Sequence, residues 1–361
     1  MRIVSPLLKK LVYPTLALTG AFRWTSTGGL AVVTYHGVLP HGYSPVDSAL
    51  DGSLIRPDVL QRQLRLLKQH YNLISPEEFL DSVEKGSALP ARAVLVTSDD
   101  GLLNCLTDML PVLQQEDVKC LFFVTGASTE ESRTTLWYED LYLIFLKARS
   151  GPFEISSEKI VLRGQFSDGA QRRLVWWDWV KRLSQIDGTT RNSVLTVVRK
   201  YFGLEMNSVF VQENPAATRR YGLLTCNELR QLISAGMTIG AHTLTHPMLS
   251  QLTTELAYKE IAGSGTRLES ALQKRIWAFA YPFGDPQSVT PEVQTMPQKA
   301  GYKVAFLNFG GGLGSALPLY AAPRIHVTAG MSLSEFEAHV SGFYARTQRY
   351  TRRAFPLGSR P

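Results

Sequence analysis

Apolar and polar positions along this chain follow two periods. Leu30–Tyr35 (LAVVTY), Ala93–Thr97 (AVLVT), Lys119–Thr125 (KCLFFVT), Met237–Ala241, Ile276–Tyr281 and Tyr302–Leu307 (YKVAFL) are short apolar runs. Runs of that length, rich in β-branched and aromatic residues, read as strands buried on both faces. Amphipathic helices fall between them. Pro57 opens one in which Leu60, Leu64 and Leu67 share a face, with Arg62, Arg65 and Lys68 mostly elsewhere. Ser75 caps the next, with Pro76 in its first turn, Glu78 completing a capping box and Gly86 as the stop. Further helices carry Leu106, Leu110 and Leu113, run from Thr225 and Glu228 to Gly236, carry Leu256, Ile261, Leu268 and Leu272, and start at Thr290 and Pro291. Buried strands separated by such helices imply a parallel sheet covered by helices, and an open sheet and a closed barrel both satisfy the pattern.

One stretch, about 128–220, breaks the rhythm with helical patterns and no convincing strand. Trp137, Tyr138, Leu141, Tyr142 and Phe145 form one apolar stripe, and Val175, Trp176, Trp177, Trp179 and Val180 another. They either pack a helical insertion onto the sheet or offer a sugar a stacking platform or lid. The chain thus divides into an N-terminal apolar segment (1–29), a large domain (30–345) holding the insertion, and a basic tail (346–361).

Composition narrows the class without naming a partner. With 44% hydrophobic and 19% charged residues the chain is an ordinary globular protein, neither fibrous nor many times membrane-spanning. A net charge of +7 favours anionic surfaces in general, but the basic residues are scattered and no nucleic-acid reading motif accompanies them. No nucleic-acid partner is therefore expected. Cys105, Cys120 and Cys226 are far apart and odd in number, which reads as buried thiols in a reducing compartment. Lys9 and Lys10 precede an uncharged stretch, Leu11–Phe22, that is shorter than the ~20 apolar residues a bilayer span needs. A packing helix, a membrane-surface helix with peripheral membrane contact and an export signal all fit it. The expected location is the cytoplasm, with membrane association and export left open. Nothing in the sequence speaks to oligomeric state.

The chemistry-bearing residues stand at strand ends. Asp99 and Asp100 follow Ala93–Thr97 and precede Gly101, where parallel α/β folds place active sites. His242 and His246 follow Met237–Ala241, and their four-residue spacing puts both imidazoles on one side of a helical turn, able to share a cation. Pro247 disfavours helical geometry at His246, so that turn is expected to be short. Phe279–Gly284 (FAYPFG) ends another strand in a turn that can present a backbone N–H to a developing oxyanion. His36, in Tyr35–Val38 (YHGV), ends the first strand and is a candidate proton donor.

In that order, TSDDG (Thr97–Gly101), HTLTHP (His242–Pro247) and AYPFG (Ala280–Gly284) resemble the polysaccharide deacetylase, or NodB-homology, family over roughly 30–125 and 221–327. The resemblance implies a distorted (β/α) barrel of about seven parallel strands. It implies Asp99 as general base and a divalent metal, zinc before cobalt, nickel or iron, on Asp100, His242 and His246. Tyr281, Phe283 and Arg324 would then serve the oxyanion and substrate. YHGV is similar to a branch acting on poly-N-acetylglucosamine-type exopolysaccharides, in which an N-terminal histidine replaces the usual C-terminal one. His36 is accordingly the first candidate for general acid and His326, in PRIHV, the second. Two positions depart from the family pattern. Ser98 stands where an aromatic residue is usual, and Ala278–Ala280 lacks the arginine that orients the catalytic aspartate; Arg324 is the candidate to replace it. The implied activity is removal of N-acetyl groups from an N-acetylhexosamine glycan. An O-acetyl esterase or small-molecule amidase on the same metal site, or a non-catalytic glycan binder, are the competing readings.

Overall fold

The computed structural model describes residues 8–24, 29–157, 160–203, 214–311 and 317–347. Its strands are β1 (Ala31–Tyr35), β2 (Asn72–Ile74), β3 (Ala93–Ser98), β4 (Cys120–Val124), β5 (Gly151–Ser156), β6 (Val161–Phe166), β7 (Thr238–Ala241), β8 (Ala278–Ala280), β9 (Val304–Gly310) and β10 (Ala322–His326). Seven of them form a closed parallel ring in the order β1, β10, β9, β8, β7, β4, β3 and back to β1. The closing pair runs from Ala31 opposite Val94 to Tyr35 opposite Ser98. β2 extends the sheet beside the first half of β3, whose second half pairs with β4.

Closure explains why the barrel strands read as continuous apolar runs. Every residue of β1, β3 and β4 is buried, because side chains on one face fill the barrel and those on the other meet helices. Val32, Leu95, Leu121, Phe123, Ala280 and Phe306 gather in one cluster. Val33, Val94, Val96 and Phe122 join another with Leu60, Leu64 and Leu67 of helix α1 (Pro57–His70). Helix α2 (Pro76–Lys85) starts with the expected capping box at Ser75 and Glu78 and stops at Gly86 with φ +70°. The Thr225–Glu228 capping box also forms, on α6 (Cys226–Ser234), but only after the insertion's own helices.

Those helices are α3 (Trp137–Lys147), α4 (Gly169–Leu183) and α5 (Gly188–Tyr201). The expectation of a purely helical insertion is corrected here: β5 and β6 form an antiparallel hairpin inside it. The hairpin alternates in burial, with Phe153, Ile155, Leu162 and Phe166 inward and Glu154 paired with Arg163 outward. Gly164 has no side chain because Phe153 occupies that space; an added Cβ would stand 2.4 Å from its ring. At the N-terminus, Tyr13 and Phe22 pack against Ala338 of the C-terminal helix Leu333–Val340 and against Phe343, while Lys9 pairs with Glu335 at 2.7 Å. Among the described residues no helix is long and apolar enough to cross a membrane. The basic tail beyond Thr347 lies outside the described residues.

Candidate active site

All the polar residues of interest lie at the carboxyl ends of the ring strands. Asp99 follows β3 directly, and its N–H still donates to Tyr35 O at 2.9 Å, continuing the β1–β3 ladder. The chain then turns sharply, with Asp100 and Gly101 both at φ +73°. Asp100 thereby faces the end of β7 across β4. There, His242 N–H extends the β4–β7 ladder to Val124 O (2.9 Å), and the chain reverses through Thr243 (φ +64°) to His246 (φ +55°). The segment is not a helical turn, which corrects that expectation. Instead the Thr243 hydroxyl accepts from His246 N–H at 3.0 Å and fixes the reversal. Asp100, Thr243, His246 and Phe283 (φ +61°) are all left-handed; each costs roughly 1–3 kcal/mol, strain that surrounding structure must hold.

Asp100 Oδ1 lies 3.5 Å from His242 Nε2 and 3.2 Å from His246 Nε2, and all three side chains are buried. A tetrahedral cation with ligand bonds of about 2.1 Å would have ligand-to-ligand edges of about 3.4 Å. The two edges from Asp100 therefore match that length, and all three ligand atoms lie within 4.8 Å of one another. His242 Nδ1–H donates to Ala280 O at 2.7 Å, which leaves its Nε2 lone pair on the cation side. Burial pushes Asp100's carboxyl up, but hydrogen bonds to the two imidazoles outweigh it and hold the group well below its ordinary value. Among the described residues this is the one cluster of three such ligands.

Asp99 sits beside the triangle in a different setting. Arg324 Nη1 and Nη2 donate to its two oxygens at 2.7 and 2.5 Å, and both residues are almost completely buried. Burial again pushes the carboxyl up; the charge of Arg324, foremost, and its hydrogen bonds reverse the shift and keep it ionised. Arg324 Nε donates to Leu307 O, and Nη1 also reaches Thr97 Oγ1. Its grouping with the oxyanion and substrate residues is corrected by this geometry: it is fully buried, it is not among the residues lining the cleft, and its contact in the site is with Asp99. Ser98 is buried against Cys105, with Oγ 3.7 Å from Sγ.

His36, after β1, and His326, on β10, face each other with ring centroids 4.8 Å apart, and both line the cleft above Asp99. Burial, then the neighbouring His36, pushes His326 down to about 3. The turn after β8 supplies the opposite wall. Its N–H groups at Tyr281, Gly284 and Asp285 are occupied by Phe306 O, Pro282 O and Ser288 Oγ. Among the described residues, the Phe283 N–H has no such acceptor. The Phe283 ring packs against His246 at 5.0 Å. Tyr281 is corrected as a site residue: it is fully buried and its hydroxyl donates to Tyr320 O at 2.8 Å, away from the cleft.

The cleft has a volume of about 320 Å³, and the insertion closes one side of it. The two aromatic stripes divide between packing and site. Trp179 and Phe145 are core, 4.9 Å apart, whereas Tyr138, Trp176 and Trp177 line the cleft beside Phe283. Asn308 on β9, Glu139 and Asp285 also line it and were not singled out from sequence. Asn308 had the available signal, a polar residue at the end of an apolar strand. Glu139 had none, because its place depends on a buried ion pair with Arg220 at 2.7 Å.

Comparison with known proteins agrees with this fold. The family model described as Polysaccharide deacetylase matches residues 193–305. The YxkH protein of Bacillus subtilis (strain 168) is 26% identical over 117 residues, a match spanning 32% of this chain and 41% of that relative. In fold, the chain is similar to the Streptococcus pyogenes deacetylase PplD (TM-score 0.55, 18% identity, 86% of this chain and 97% of that one). It is also similar to IcaB from Ammonifex degensii (TM-score 0.52, 17% identity, 88% and 98%).

Proposed function

We propose that this chain, which carries a polysaccharide deacetylase family domain, hydrolyses the N-acetyl groups of an N-acetylhexosamine-containing polysaccharide or oligosaccharide with the help of a divalent cation. The observation that carries the reading is the Asp100–His242–His246 triangle beside an Asp99 clamped by Arg324 at the floor of an aromatic-walled cleft. Two imidazoles and one carboxylate suit zinc, and cobalt, nickel or iron fit the same donors. Bound there, the cation supplies Lewis acidity and lowers the pKa of water from 15.7 towards ~7.

The chain's own residues do the rest. Asp99, held ionised and oriented by Arg324, takes a proton as water attacks the acetyl carbonyl. The Phe283 N–H donates to the oxygen on which negative charge develops. As the C–N bond breaks, His36 protonates the departing amine, giving acetate and a glucosamine-type residue. His36 is favoured over His326 because the latter's low proton affinity leaves it neutral near pH 7. Tyr138, Trp176 and Trp177 offer apolar faces on which a pyranose ring stacks.

The test is metal-reconstituted protein with N-acetylglucosamine oligomers, assayed for acetate and for new primary amines. Asp99→Asn should keep the metal and lose turnover, whereas Asp100→Ala should lose the metal. Acetate from an O-acetylated glycan, with neither acetate nor new amines from the N-acetylglucosamine oligomers, would replace the amidase reading with an esterase one. A fully active Asp99→Asn protein would remove Asp99 as the base.

A further inference from the structure

A second pocket, of about 330 Å³, lies at the seam between the barrel and the insertion, and His246 forms part of its wall as well as of the cleft. Its remaining polar lining is unusual in what it leaves unpaired. Thr125 Oγ1, Thr134 Oγ1, Thr135 Oγ1, Arg191 Nε and Arg199 Nε are all buried without a hydrogen-bond partner. Buried polar atoms are nearly always satisfied by protein, water or a ligand, so these five, with the unpartnered His246 Nδ1 as a sixth around one cavity, point to an occupant. The donor inventory says what kind. A guanidinium Nε–H can only donate, and a threonine hydroxyl can donate to any acceptor placed near it. No carboxylate lines the pocket.

The charge balance points the same way. Arg191 is 1% exposed. Its guanidinium lies over the Trp137 ring at 4.6 Å and donates to Thr245 Oγ1 and O and to Ile186 O. Among the described residues it has no carboxylate within ion-pair distance, in contrast to Arg220 and Arg324, which are equally buried and paired. Arg199 is paired with Asp140 through Nη2, and its Nε remains free. Glu260, which accepts from the same Thr245 hydroxyl, and Asp187 act on Arg191 without touching it, and a buried cation with no counter-ion in contact is costly. An anion in the pocket would offset that cost and accept from the unpaired donors together.

We propose that this pocket is a binding site for a small oxyanion, a carboxylate or phosphate-type group, held by Arg191, Arg199 and the hydroxyls of Thr125, Thr134 and Thr135. The site is separate from the hydrolytic cleft and does not depend on the activity proposed for it. The oxyanion group can come from a free ion or from an acidic substituent on a sugar, and its chemistry is the same in both.

The experiment is titration calorimetry on the full chain with metal removed by chelator, so that anions have no cation to bind in the cleft. Inorganic phosphate, acetate and glucuronate are the probes. Binding with a millimolar or tighter constant is expected, weakened about tenfold in the double variant Thr134→Val, Thr135→Val, which keeps side-chain volume and removes two donors. An unchanged constant in Asp100→Ala places the anion outside the cleft. Preference for phosphate or acetate identifies a free ion, and preference for glucuronate an acidic sugar. No heat with any probe, or binding unaffected by the threonine substitutions in a protein of unchanged melting temperature, would overturn the proposal and leave the pocket to water.

Discussion

Arg324 grips Asp99 through both terminal nitrogens, although 225 positions separate them in the chain. Barrel closure makes the pair: β10 carries Arg324, β3 leads into Asp99, and β1 lies between and pairs with both. A buried ion pair of this kind is poor evidence for added stability, since desolvation offsets most of the attraction. Its clearer consequence is a carboxylate kept charged and fixed in orientation where burial alone would protonate it.

Arg324→Gln keeps a hydrogen-bond donor and removes the charge. With the counter-charge gone, burial should raise the Asp99 pKa, so the acidic limb of the pH–rate profile moves to higher pH. Loss of orientation should lower kcat by about a hundredfold, with KM nearly unchanged. A drop in rate with an unshifted acidic limb would assign Arg324 to packing alone.

Acid stability should report the same pair. The folded carboxyl of Asp99 lies below the ordinary value of 3.8, so the unfolded chain binds more protons as pH falls through that range. The stabilisation is complete above the unfolded value and is lost on acidification through the folded one. Near neutrality Asp99→Asn, which leaves Arg324 buried without its counter-charge, should destabilise the metal-free protein by up to about 3 kcal/mol. The difference in melting temperature from the parent should shrink between about pH 5 and pH 3. A difference independent of pH would mean that the carboxylate's charge contributes nothing to folding.

The facing imidazoles should behave unequally. His36→Gln is expected to lower kcat by about 10²–10⁴, the usual range for a lost general acid. His326→Gln should cost less, because a histidine pushed down to about 3 has no proton to give near neutrality. Equal losses from the two single variants and no further loss from the double would mean that the two rings act as one unit.

Several parts of this architecture were legible before folding, for identifiable reasons. β1, β3 and β4 could be read because both faces are covered, which leaves uninterrupted apolar runs. Asp99, Asp100, His242 and His246 could be picked out because catalytic side chains collect at carboxyl ends of parallel strands. β2, with three residues, is too short to show a period. The β5–β6 hairpin was hidden by aromatic helices on either side, although its alternation of Phe153 and Ile155 with Glu154 is visible once sought. Tyr281 was misplaced because strand alternation puts residues two apart, such as Tyr281 and Phe283, on one face; the left-handed turn at Phe283 (φ +61°) breaks that alternation, and the FAYPFG motif does not announce it. The division of the tryptophans depends on how the insertion docks. That docking rests on long-range contacts such as Trp137 Nε1 donating to His246 O at 3.0 Å.

Trp177 is the place to ask whether that docking serves the substrate. It lines the cleft and packs edge-on to Phe283 at 5.6 Å, yet it is only partly buried, unlike Trp176 and Trp179. Trp177→Ala should therefore leave the fold intact and remove a stacking face worth about 1 kcal/mol to a bound sugar ring. The expected result is a several-fold rise in KM for N-acetylglucosamine oligomers with kcat and melting temperature nearly unchanged. The rise should be larger for oligomers than for the monosaccharide if the insertion contacts a ring next to the one being deacetylated. A fall in kcat at constant KM would instead mean that Trp177 acts through Phe283, by holding the turn whose N–H faces the reaction.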